Sequence, residues 1–182
     1  TPAGFTAAGV ACGLKSSGAL DLALVVNTGP SDAAAAVFTS NRAQANPIIW
    51  SRQAIADGRA RAIVLNSGGA NCFTGHQGFQ TTHSTAEAVA EQLQVGAAEV
   101  LVCSTGLIGE QLDRDRLIAG VATAATALSA DGGQDAARAI MTTDSVPKTA
   151  EYRDAAGWAI GGIAKGAGML APGLATMLVV IT

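Results

Sequence analysis

Short apolar runs recur along the chain, each closed by Gly, Asn, Ser or Pro. Asp21-Leu-Ala-Leu-Val-Val-Asn27, Arg61-Ala-Ile-Val-Leu-Asn66, Glu99-Val-Leu-Val-Cys103 and Ala175-Thr-Met-Leu-Val-Val-Ile181 have the β-branched, nearly unbroken pattern of buried strands. Gly4-Phe5 and Gly9-Val10-Ala11 read as short extended pieces, and Asn27-Thr-Gly-Pro30 as a turn. Ala34 to Thr39 reads as a further strand, and Asn46-Pro-Ile-Ile-Trp50 as another, with Pro47 at its start, where a missing N–H is tolerated. Helical spacing appears between these runs. Ala86, Val89, Ala90 and Leu93 share one face of Thr82–Leu93, with Glu87 and Glu91 outward. Leu117, Val121, Ala124 and Leu128 share a face of Asp113–Leu128, which Asp113 can cap. Two shorter helices are predicted, Ser51–Ala56 stopped at Gly58, and Gln134–Ile140 after the break at Asp131-Gly-Gly. Lys148–Tyr152 and Gly157–Ile163 read as a hairpin turned around Arg153-Asp-Ala-Ala156, with Trp158, Ile160 and Ile163 directed to the core. Interleaved strands and helices predict an α/β fold; the pattern does not give strand order.

Composition refines this. A chain of 182 residues is long enough for one domain with a real core. Hydrophobic residues make up 49% and aromatic ones 4%, so the layers are built from small side chains, mostly Ala and Gly. Net charge is −3 with the basic residues scattered, which argues against a nucleic-acid surface. No apolar run approaches the roughly 20 residues that cross a bilayer, and no charged start with an apolar centre marks a signal peptide. Cys12, Cys72 and Cys103 are widely spaced and form no C-x-x-C motif, the expectation for thiols in the reducing cytoplasm. His76 and His83 have no cysteine or carboxylate at ligand spacing, so no metal site is expected. His76 reads as a Gly-flanked loop residue and His83 as lying near a helix start.

Four segments carry candidate chemistry. Ser67-Gly-Gly-Ala-Asn71 follows a strand; it reads either as a tight turn or as backbone N–H groups converging on an anion, and it is not a nucleotide fingerprint. Ser104-Thr-Gly-Leu-Ile-Gly109 also follows a strand and, by spacing alone, is a turn. Met141-Thr-Thr-Asp-Ser-Val-Pro-Lys148 gathers charges and hydroxyls after an apolar helix, as a cap or turn would. Lys165 opens the fourth segment. Gly166, Gly168, Pro172 and Gly173 follow, and Thr176 then stands where the glycine-rich stretch becomes a strand. A threonine hydroxyl needs a base, and cutting the chain just before it would supply its own α-amine.

These four segments, in this order, resemble the ornithine acetyltransferases, the bifunctional glutamate N-acetyltransferases of arginine biosynthesis. Lys165-Gly-x-Gly-Met, then x-Pro and Ala175-Thr-Met-Leu, is similar to that family's self-cleavage motif. The resemblance implies a scissile bond between Ala175 and Thr176, with Thr176 as the nucleophile that carries the acetyl group as an ester. It implies an oxyanion hole from Thr105 and Gly106; donors of this kind are worth about 3 kcal/mol each. It implies Thr142, Lys165 and Thr176 as substrate contacts, and leaves Asp144 and Lys148 without a definite role. The Asn66–Asn71 run also matches, whereas Cys72-Phe73 departs from the small residues expected there. The implied fold is a layered αββα-type sandwich with mixed sheets and helices outside.

The reaction implied is acetyl transfer from N-acetylornithine to glutamate, with no metal or organic cofactor; some members also accept acetyl-CoA. The implied partners are a beta chain from the same precursor, in a heterotetramer of two alpha and two beta chains. Residues 1–182 would then be one domain, the alpha-chain part of a longer self-cleaving precursor. An alpha chain cut at this site ends at Ala175, and this one runs on to Thr182. Two other classes fit the residues: a related self-processing aminopeptidase or hydrolase with an N-terminal nucleophile, and a non-catalytic α/β module.

Overall fold

Leu22–Asn27 (β2), Ala62–Gly69 (β3) and Val100–Leu107 (β4) bury both faces over most of their length, and this dictates the layers. In the computed structural model, which describes residues 1–168 and 176–182, Phe5–Val10 (β1) pairs antiparallel with β2, β2 antiparallel with β3, and β3 parallel with β4. Alternate residues of this mixed sheet supply two separate cores. Leu22, Leu24, Val26, Val64, Val100 and Val102 face helices Gly75–Leu93 (α2) and Arg114–Thr126 (α3). Ala7, Ala23, Val25 and Leu65 face the short helix Gly133–Ala139 (α4) and a second sheet. That sheet is antiparallel throughout, in the order Lys148–Arg153 (β5), Ala159–Lys165 (β6), Leu178–Ile181 (β7). Each large apolar side chain removed from water, such as Leu24 or Leu65, contributes about 2 kcal/mol.

Small residues set the spacing. A β-carbon on Gly9 would lie 2.1 Å from the Asp135 carbonyl oxygen, so α4 rests on the backbone of β1 itself. The fourth helix, Asn46–Ala54 (α1), closes the edge of β4. Trp50 Nε1 donates to Val100 O at 3.0 Å; Ser51 Oγ donates to Val102 O at 2.8 Å and accepts from Val102 N at 2.9 Å. The edge strand is thereby withheld from other strands.

The layered α/β architecture is the one expected, and β2, β3, β4, α3, α4 and the β5–β6 hairpin stand near their predicted positions. Several elements differ. Asn46–Trp50 is helical: Pro47 sits in a first turn, where its fixed φ is suitable. Ser51 is a buried mid-helix residue rather than a cap. Ala34–Thr39 is irregular, with Val37 99% exposed, because no neighbouring strand offers it a ladder. Helix α2 opens at Gly75 rather than Thr82, which places both histidines on it. Strands β3 and β4 run on through Gly69 and Leu107, where turns were expected. In the hairpin, Ile163 reaches the core, but Trp158 and Ile160 are exposed. Strand β7 begins at Leu178 and exposes Val179 and Ile181.

Candidate active site

The end of β4, the loop after α4, the start of β5 and the end of β6 converge on one ammonium group. Lys165, 4% exposed, donates from Nζ to Thr142 Oγ1 at 2.8 Å and to Thr105 Oγ1 at 3.1 Å. Its Nζ also lies 4.0 Å from Asp144 Oδ2. Thr105 is 2% exposed, on the face of β4 that looks toward the second sheet, while Thr142 is exposed at the rim.

The local folding follows from the residues. Gly106 and Gly68 face each other across β3 and β4, both at φ 123°. A β-carbon on Gly106 would stand 2.6 Å from the Gly68 carbonyl carbon, so only glycine permits this approach. Below them, Ser104 Oγ donates to Asn66 Oδ1 at 2.5 Å, and Asn66 Nδ2 donates to Gly69 O at 3.1 Å. Ser67 Oγ donates to Ala139 O, tying the end of α4 beneath Thr142. Asn71 Nδ2 donates to Gly78 O and Thr82 Oγ1 at the start of α2. The Asn66–Asn71 run is therefore internal bracing: strand β3 continues through Gly69 where a tight turn was expected, and the two asparagine amides are spent on neighbouring carbonyl and hydroxyl groups. Phe73 is exposed at φ 59°.

Asp144 is the residue whose part in this cluster the sequence left unassigned. Its carboxylate accepts from Gly166 N at 2.8 Å and Thr142 N at 3.2 Å and contacts Lys148 Nζ directly. Burial alone would raise its pKa; the hydrogen bonds from Lys148, Gly166 and Thr142 outweigh that and bring it from 3.8 to about 2. The Lys165 pKa is lowered as well, chiefly by burial, which Asp144 opposes, and further by Lys148. A third ammonium lies nearby. Asp21, fully buried, holds the loop before it by accepting from the N–H groups of Cys12, Leu14 and Lys15. Lys15 is thereby brought within electrostatic reach of Lys165 and Asp144.

Lys165 pairs with Leu178 in the β6–β7 ladder, so Thr176, half-buried, belongs to the same end of the sheet as Lys165. Ala175 and the expected bond to Thr176 lie outside the described residues. His76 and His83 sit on α2, across the larger sheet from Thr105; His83 stacks on Trp50 at 4.9 Å. Among the described residues no group of three His, Cys, Asp or Glu could hold a metal ion, and no helix is long and apolar enough to cross a membrane.

The order of these residues can be set against known proteins. The sequence matches the ArgJ family over residues 6–182. The chain belongs to the ArgJ family. The arginine biosynthesis bifunctional protein ArgJ of Streptomyces coelicolor is 63% identical over 180 residues, which cover 98% of this chain and 46% of that protein. ArgJ of Mycobacterium tuberculosis is 58% identical, covering all of this chain and 46% of its own length. The chain thus spans about half the length of the curated relatives it matches. Among solved structures, ornithine acetyltransferase of M. tuberculosis complexed with ornithine matches with a TM-score of 0.92 at 55% identity, over 98% of this chain and 94% of that one. ArgJ of Bacillus halodurans matches with a TM-score of 0.85 at 34% identity, over 97% of this chain and 92% of that one.

Proposed function

We propose that this chain is the alpha-chain part of an ornithine acetyltransferase that moves an acetyl group from N-acetylornithine to glutamate. The observation that carries the reading is the buried Lys165 ammonium, bonded to Thr105 and Thr142 at the end of the sheet where Thr176 enters, in a member of the ArgJ family. Two ammonium groups and one carboxylate leave a net charge of 2 − 1 = +1 among Lys165, Lys148 and Asp144, suited to a substrate carboxylate.

Cleavage of the Ala175–Thr176 bond frees the Thr176 α-amine. Thr176 Oγ1 attacks the acetyl carbonyl carbon, and its proton passes to that amine. Thr105 and the Gly106 N–H hold the oxyanion. The amide C–N bond then breaks, the proton goes to the leaving nitrogen, and ornithine departs. The glutamate amine attacks the threonine ester, giving N-acetylglutamate and restoring the hydroxyl. Lys165 and Thr142 orient the substrate. The step calls on no metal or organic cofactor, and acetyl-CoA is a second donor to be tried. The setting is cytoplasmic arginine biosynthesis, with a beta chain from the same precursor as partner in an assembly of two alpha and two beta chains.

The test uses the full-length protein carrying this chain. With N-acetylornithine and glutamate, the reading expects ornithine and N-acetylglutamate in equal amounts. Release of acetate irrespective of glutamate, or cleavage of peptides instead, identifies a hydrolase and refutes the transferase.

A further inference from the structure

Asp144 joins segments far apart in sequence. Its own loop contributes Thr142 N, the start of β5 contributes Lys148 Nζ, and the residue just past β6 contributes Gly166 N, where the glycine-rich segment begins. The carboxylate has no exposed surface, whereas the Lys148 side chain is 44% exposed. Lys148 touches Oδ1; Lys165 stands 4.0 Å from Oδ2, too far for a hydrogen bond. Asp144 is therefore close enough to stabilise the Lys165 charge without occupying its donors. Among the described residues, the two threonine hydroxyls take two of the three Lys165 N–H groups.

We propose that Asp144 is a positioning residue: it fixes where the glycine-rich segment leaves β6, and by dividing its charge between Lys148 and Lys165 it keeps the Lys165 ammonium charged and able to receive a substrate carboxylate. The charged groups facing Lys165 are Asp144, Lys148 at the start of β5 and Lys15 on the loop before β2. Removing each of the first two shifts Lys165 in a direction fixed by sign. Asp144→Asn takes away an attraction and leaves two repulsions, so Lys165 loses its proton at lower pH. Lys148→Met takes away a repulsion, so Lys165 holds its proton to higher pH. A structural prop would not produce opposite shifts.

The kinetic arm of the test rests on the acyl-transfer reading; the titration arm does not. Lysine labelled with 13C at Cε is followed by NMR in the full-length protein, with the Lys165 signal assigned by its loss in Lys165→Arg. The expected shifts are about one pH unit down in Asp144→Asn and a smaller rise in Lys148→Met. In the transfer assay, the alkaline limb of 1/KM for glutamate moves with them: at the pH where Lys165 is half-deprotonated in the wild type, 1/KM falls roughly fivefold in Asp144→Asn and rises by less than about twofold in Lys148→Met. An unmoved Lys165 in both variants, or movement the same way in both, overturns the proposal. Absence of transfer in the wild type would refute only the acyl-transfer reading, and the titration would still decide this one. Should Asp144→Asn fail to fold, the surface variant Lys148→Met decides it alone, by rise or no rise.

Discussion

Replacing Lys165 with Met separates recognition from stability. The variant loses two hydrogen bonds from the ammonium, to Thr105 and Thr142, each worth about 1.5–3 kcal/mol before desolvation is counted. It also removes the burial of that charge, which offsets most of the loss. Asp144 is not left unpaired, because Lys148, Gly166 N and Thr142 N remain. Net stability should therefore change by only about 1 kcal/mol. Burial depresses the Lys165 pKa below 10.5, so the unfolded chain binds the extra proton. Stability should rise as pH climbs from the folded pKa toward the unfolded one, and Lys165→Met should abolish that rise. Substrate capture behaves differently. An ammonium–carboxylate contact in a dry site is worth about 2–4 kcal/mol, or about 30- to 1000-fold in kcat/KM. Chemical denaturation across pH 7 to 10 and transfer kinetics on the same sample measure both quantities. A variant that lost several kcal/mol of stability and kept its kcat/KM would refute the reasoning and make Lys165 a structural residue.

Other outcomes follow from the same geometry. Gly106→Ala forces a β-carbon against Gly68 at φ 123° and should cost about 2–5 kcal/mol in urea unfolding, with transfer lost in whatever protein still folds. The depressed Asp144 pKa contributes about 2 kcal/mol that is present above pH 4 and lost as pH falls through about 2; the stability gap between wild type and Asp144→Asn should close over that window. Ser51→Ala strands the Val102 N–H and C=O at the β4 edge and should cost about 2 kcal/mol, with faster hydrogen exchange at the Val102 amide. Cys103 is pushed up to about 12 by burial, and Cys12 to about 12 by burial and then by Asp21; neither should react quickly with iodoacetamide at pH 8 until the protein unfolds.

Much of this architecture was legible because its central strands are apolar on both faces and its third helix announces its own start: Asp113 accepts from Arg116 N as the cap pattern requires. What failed to read has physical causes. The first three turns of α2 bury Gly78 and the threonines Thr81, Thr82 and Thr85, whose hydroxyls donate to carbonyls four residues back, so the inward face looks polar in the sequence. Pro47, Ser51 and Ala54 are the buried positions of α1, a helical spacing hidden by the apolar string Ile48-Ile-Trp50. Val37 and its alanine neighbours had strand-like residues but no partner strand. At the site, Lys165, Thr105 and Thr142 were named through resemblance and meet in space. The Asp144 carboxylate was visible only as one charge in a cluster, because the atom that reveals its task, Gly166 N, lies 22 residues further on, just past the end of β6.

The proposed acetyl transfer requires Thr176 to be the residue that carries the acetyl group. The full-length protein is incubated with N-acetylornithine alone, quenched in acid, and digested for peptide mapping by mass spectrometry. The account predicts a new chain beginning at Thr176 with one acetyl group on that residue, discharged by glutamate and absent in Thr176→Ala. An acetyl group on any other residue, or transfer retained in Thr176→Ala, would contradict it.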